Sequence, residues 1–179
     1  MTEEQNSNPI MTPEEGAAAQ FQIQKLYTKD VSFEIPGAPQ IFQEEGQADV
    51  KMSLAQRVEE MGENLHEVVL TVTVTATVGE KTAYLVEVAQ AGIFLLSGFQ
   101  EQAAHAVMNT MCPNSLFPYA RQSISTLVTD GGFPPLVLQP VNFEQLYAQR
   151  MQQMMEEQQQ EAAAQGEDET VEAEFTTND

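Results

Sequence analysis

Over residues 67–78 the chain alternates without interruption: Val68, Leu70, Val72, Val74, Ala76 and Val78 fall on one side, and Val69, Thr71, Thr73, Thr75 and Thr77 on the other. A period of two is the side-chain repeat of a strand, and an apolar side against a threonine side gives a strand with one wet face. Purely parallel sheets bury both faces, so this pattern points to an antiparallel sheet. The alternation recurs beyond Gly79-Glu80-Lys81. There, over residues 82–91, Tyr84, Val86 and Val88 alternate with Ala83, Leu85, Glu87 and Ala89, and the two runs read as a hairpin. Val50, Met52 and Leu54 alternate with Lys51, Ser53 and Ala55, and residues 21–35 carry Phe21 and Ile23, then Val31, Phe33 and Ile35, at the same spacing. Four antiparallel strands are predicted.

After Gly98 the spacing becomes helical. Ala103, Ala104, Val107, Met108 and Met111 form a stripe expected to stop before Pro113. A second helix is expected to carry Leu116, Tyr119, Ala120, Ser123, Ile124, Leu127 and Val128, with Pro118 in its first turn and Gly131-Gly132 at its end. Residues 133–141 hold Pro134, Pro135 and Pro140 and read as an irregular apolar connector. A third helix opens with Asn142 as N-cap and Gln145 at the capping-box offset; it presents Phe143, Leu146 and Tyr147, then Met151, Met154 and Met155. The fold class is α+β, a four-stranded antiparallel sheet with helices packed on one face.

Charge divides the chain. The 179 residues hold 27 acids and 7 bases, and 13 of the acids lie in residues 1–20 and 156–179, which have no Lys or Arg. The expected organisation is an acidic, disordered N-terminal tail over 1–20, a folded domain over 21–155, and a frayed helix end passing into an acidic, disordered tail over 156–179. A net charge of −20 repels phosphate backbones and anionic lipid heads, so neither nucleic acid nor membrane is an expected partner. Without an apolar run of spanning length or a basic leader, the expected location is the cytoplasm. The single cysteine, Cys112, fits a reducing compartment and reads as a buried structural thiol.

Chemistry-bearing motifs are missing. His66-Glu67 lacks the second histidine of a zinc-protease helix and lies in a strand, while His105 sits in a helical stripe beside alanines. Glu44-Glu45 and Glu59-Glu60 lie in polar stretches read as a solvated loop or helix surface, where nothing would raise a carboxyl for acid catalysis. Gly131-Gly132 lacks the residues of a phosphate loop. No catalytic residue, metal site or cofactor is therefore predicted, and the chain reads as a binding protein. Leu85 and Glu87 beside the threonine ladder suit a basic or mixed partner. Met52, Met151, Met154 and Met155 with Phe42, Phe143 and Tyr147 suit adaptable apolar contacts. One sheet face plus three helical stripes exceeds what a single domain covers, which predicts self-association.

Three stretches carry a specific resemblance: FQIQKLYTKDVSFEIPGAP (21–39), EVVLTVTVTATVGEKTAYLVEVAQAGIF (67–94), and CPNSLFPYARQSISTLV followed by GGFPPLVLQPVNF. The chain resembles the SecB family of bacterial protein-export chaperones over about residues 21–151. The resemblance implies a cytoplasmic homotetramer, a dimer of dimers, that holds unfolded precursor proteins without nucleotide and delivers them to the ATPase SecA. It places SecA contacts at Asp30, Glu34, Leu85 and Glu87. It places the client groove at Phe42, Val50, Met52, Leu54, Phe94, Tyr147 and Met151. A tryptophan common in the family after the Phe42 segment is absent, position 46 being Gly. The alternative is a SecB-like chaperone dedicated to another client, such as a toxin–antitoxin pair or a specialised secretion substrate.

Overall fold

The computed structural model describes residues 19–168, with side chains to residue 159. Four strands, β1 (Gln20–Glu34), β2 (Asp49–Gly62), β3 (Leu65–Val78) and β4 (Lys81–Ser97), form one antiparallel sheet in the order β1-β4-β3-β2. The predicted hairpin is β3–β4, and the chain turns at Gly79 with a positive φ of 59°. Between β1 and β2 the chain crosses from one sheet edge to the other through a short 3₁₀ turn, Gln40–Gln43.

Every pair in the ladder sorts side chains onto two faces. The inner face collects Val68, Leu70, Val72, Val74 and Ala76 of β3 with Tyr84, Val86, Val88 and Phe94 of β4, all buried. Helix α1 (Glu101–Asp130) covers it with Cys112, Leu116, Phe117, Ala120, Ile124 and Val128. The outer face carries the threonines. Gly92 has no room for a side chain: a Cβ there would lie 2.6 Å from the Phe94 ring and 3.0 Å from Leu26.

Two strands are longer than their alternation predicts. β2 continues past Ala55 to Gly62, so Glu59-Glu60 lies in a strand, because an edge strand with little cover has no apolar side to announce it. β4 runs past Ala91 to Ser97, with Phe94 and Leu96 on the inner side.

The two helices predicted on either side of Pro113 are one. α1 holds Pro113 and Pro118 in its interior. A mid-helix proline forfeits one ladder bond and is locally unfavourable, but Pro113 is itself fully buried in the face that packs on the sheet. That burial continues through Leu116 and Phe117 and offsets the local loss. Tyr119, at helical spacing from buried Leu116, is exposed.

Residues 133–141 are the expected irregular connector, anchored by buried Leu138. Helix α2 (Phe143–Asp168) opens as predicted, the Gln145 amide donating to Asn142 Oδ1 at 3.0 Å. It runs to Asp168, through residues of which Glu, Gln and Ala sustain helix, and Gln152 donates to Glu156 one turn on. Of the tails expected over 1–20 and 156–179, residues 1–18 and 169–179 lie outside the described residues. Among the described residues no helix is long and apolar enough to cross a membrane.

Candidate functional site

The predicted SecA contacts share the outer face. Glu34 pairs with Leu85, Ser32 with Glu87 and Asp30 with Ala89, so the four side chains lie in three successive rows on β1 and β4. Asp30 and Glu34 are exposed, Leu85 and Glu87 half-buried. Thr73 Oγ1 donates to Glu87 Oε2 at 2.7 Å, which fixes this carboxylate against the threonine ladder. An apolar side chain flanked by carboxylates is a surface for a partner bearing apolar and cationic groups.

The predicted groove residues fall into four places. Val50, Met52 and Leu54 follow one another along the inner side of β2, where Val50 and Met52 remain 38% and 39% exposed beyond the cover of the helices. Leu54 and Tyr147 line one cleft together with Leu70, Phe143, Leu146 and Arg150, and Met151 follows Arg150 in α2. Phe42 sits at the far end of the sheet, half exposed, as the tip of an aromatic run. Its ring lies 5.3 Å from Phe133, Phe133 lies 4.9 Å from Tyr84, and Tyr84 lies 5.9 Å from Phe33. Phe94 is not brought to this surface. It is fully buried, stacked 5.7 Å from Phe21, and pairs with His66 at the opposite end of β3 from Ala76, the partner of Val50. Phe94 supports the sheet from within and, fully buried in this chain, presents no surface to a bound chain.

Gly46, where a tryptophan is common, has a φ of +145°, and a Cβ there would meet Val78 Cγ1 at 3.3 Å. The segment entering β2 therefore takes a backbone course that a tryptophan would not readily share. The stretch between Phe42 and Val50 carries no such ring.

Further side chains join α1 to the groove walls. Gln56 of β2 donates to the Met108 carbonyl at 3.0 Å, and His105 Nδ1 lies 3.0 Å from the Tyr147 hydroxyl. His105 is thus exposed and paired with an aromatic neighbour. Glu44 of the first acidic pair ion-pairs with Lys81. Cys112 is buried as expected, and desolvation pushes its thiol up to about 12.

One cluster has no counterpart in the sequence reading. Glu67, on the outer face, is 6% exposed. It accepts from Lys29 Nζ at 2.6 and 2.8 Å and from the Tyr27 hydroxyl, with Arg57 at 3.8 Å. The hydrogen bonds from Lys29, then Tyr27, hold its carboxyl below the usual carboxylate range, and the Glu67 bond pushes Tyr27 up to about 12. Its members come from three strands, so only the sheet register brings them together; the one signal in the sequence is an acid on a strand side otherwise made of Val and Thr.

A family model described as "Preprotein translocase subunit SecB" matches residues 14–154. The Protein-export protein SecB of Nitrosococcus oceani is 50% identical over 151 residues, covering 83% of this chain and 92% of that protein. That of Stenotrophomonas maltophilia is 48% identical, covering 86% and 89%, and that of Methylococcus capsulatus is 53% identical, covering 74% and 86%. Among solved structures, the SecB-like chaperone of Mycobacterium tuberculosis, in complex with a ChAD peptide from an antitoxin, aligns with a TM-score of 0.54 at 18% identity, covering 68% of this chain and 91% of that one. That likeness concerns the fold.

Proposed function

This chain belongs to the SecB family and is a chaperone of protein export, and from that premise we propose that it works with its two sheet faces divided between two partners. Unfolded precursor proteins occupy the inner-side groove along Val50, Met52 and Leu54, walled by Tyr147 and Met151 and extended by Phe42. SecA docks on the outer face through Asp30, Glu34, Leu85 and Glu87. The protein acts in the cytoplasm, as a dimer of dimers and without nucleotide, and residues 21–155 form the working domain between acidic tails.

The observation that carries this reading is the segregation of the two residue sets. The SecA set lies wholly on one face of β1 and β4, and the apolar β2 set lies on the other. A client can then stay bound while a second protein engages the opposite face, as a handover requires. The groove chemistry fits many sequences, since an unbranched thioether and a half-exposed strand adapt to different apolar segments. Grooves repeated in a tetramer would hold one unfolded chain at several points, so that weak contacts add through effective concentration. Preference for unfolded chains delays their folding by mass action, with no nucleotide.

The alternative, a chaperone dedicated to an antitoxin-like client, would leave the outer acid-and-leucine face without a partner. The test is light scattering for mass, followed by separate titrations with an unfolded precursor and with SecA, in the absence of nucleotide. A tetramer that binds both is expected; one that holds precursor and ignores SecA would transfer the reading to the alternative.

A further inference from the structure

The outer face owes Asp30 to a break in register. Along β1, Leu26 and Thr28 pair with Gly92 and Gln90 on the inner face, and Val31 and Phe33 pair with Val88 and Val86 on that same face. The two runs are out of phase by one residue, and the ladder reconciles them by leaving Lys29 as an extra residue between Thr28 and Asp30. Such a bulge shifts every later side chain to the other face. Without it, strict alternation from Thr28 would send Asp30 inward.

Among the described residues of this chain β1 is an edge strand, paired only with β4. Within the chain, a bulge in such a strand lacks a second neighbour to hold it. Here the extra residue is pinned from further away: Lys29 reaches past β4 to Glu67 of β3, and Tyr27, two residues earlier, donates to the same carboxylate. The Glu67 side chain is 8% exposed and that of Lys29 37%. A carboxylate this buried is held by its partners and in turn holds them.

We infer that the Lys29–Glu67–Tyr27 cluster is a positioning latch that fixes the β1 bulge and thereby keeps Asp30 on the partner-binding face. The inference rests on the reading of that face as the SecA site. Glu67 contacts no partner in this scheme and acts through Asp30.

The test is a double-mutant cycle on the full-length chain, with SecA affinity as the readout. Asp30→Asn and Glu67→Gln are each expected to weaken SecA by about fivefold, and the double variant by no more than Asp30→Asn alone, the signature of coupled residues. Lys29→Met should reproduce Glu67→Gln. Precursor holding should stay unchanged in all of them, which separates the effect from general unfolding. Amide exchange is the second arm: in Glu67→Gln, residues 28–31 should exchange faster while Val86 and Val88 keep their protection. If Asp30→Asn weakens SecA but Glu67→Gln leaves it unchanged, or multiplies the loss, the latch is overturned and the face reading stands. If Asp30→Asn itself has no effect, Asp30 leaves the site and the latch falls with it. Unchanged exchange over 28–31 in Glu67→Gln also overturns the latch.

Discussion

Gln56 of β2 donates a hydrogen bond to the Met108 carbonyl of α1 at 3.0 Å, one residue before Asn109, whose carbonyl Pro113 leaves without its usual helical donor. The bond ties the least covered strand of the sheet to the helix that covers the others. Gln56 sits two residues beyond Leu54 on the same side of β2, so the tie also bears on the spacing between this side of β2 and α1.

Gln56→Leu keeps the side-chain bulk and removes the donor. Because the Met108 carbonyl is left without this bond, a loss of about 1 kcal/mol of stability is expected, read as a lower denaturant midpoint at unchanged slope. An unchanged midpoint would show that the bond contributes nothing net.

Acid should act through Glu67. Its folded-state carboxyl titrates below the ordinary value of 4.5, so the stability it contributes is fully present above that value and is lost as pH falls through the folded one. Glu67→Gln is therefore expected to flatten the acid limb of a stability-versus-pH curve below about pH 4.5 while lowering stability at neutral pH. Tyr27 gives the alkaline counterpart. Raised from 10.0 to about 12, it contributes stability that is complete below pH 10 and lost as pH rises towards 12, and Tyr27→Phe should remove that loss. Curves that keep their shape in both variants would contradict the cluster's energetic role.

Gly92→Ala inserts a methyl group against the Phe94 ring and Leu26. Overpacking of this kind destabilises by about 1–3 kcal/mol, and thermal unfolding is the measurement. The partner Phe94→Leu, made together with Gly92→Ala, should recover part of the loss, whereas equal stability of wild type and Gly92→Ala would place the ring elsewhere.

Much of the sheet was legible because one side of β3 and β4 packs against α1 and so alternates cleanly. The remainder follows from what alternation does not encode. β2 past Ala55 exposes both sides, so Gln56, Arg57, Glu59 and Glu60 look like loop or helix surface. Pro113 marks a helix stop by local rules, and only its burial among Cys112, Leu116 and Phe117 explains why α1 continues. The four residues that the resemblance assigns to a SecA surface were legible in the sequence, but the bulge that brings Asp30 to the same face as the others is a property of the β1–β4 register. Likewise Phe94 is as apolar as Phe42 in the sequence; its place on a central strand buries it, while Phe42 stands on a connecting turn at the sheet's end.

Ionic strength should distinguish the two faces. Contacts through exposed Asp30 and Glu34 are screened by salt, and apolar contacts are not. SecA affinity is expected to fall between low and high salt while precursor holding persists; parallel losses would mean that both ligands depend on the same charges.

The most direct measurement sets two variants against two ligands. Glu87→Lys reverses a charge on the outer face, and the double variant Val50→Asp with Met52→Asp places unpaired carboxylates along the half-exposed inner side of β2. Titrated by calorimetry with SecA and with an unfolded precursor, Glu87→Lys should lose SecA and hold precursor as before, and the β2 double variant should do the reverse while keeping the mass of the unmodified assembly. If either variant weakens both ligands equally at unchanged mass, or neither variant weakens either, the two faces do not divide the work and the account fails.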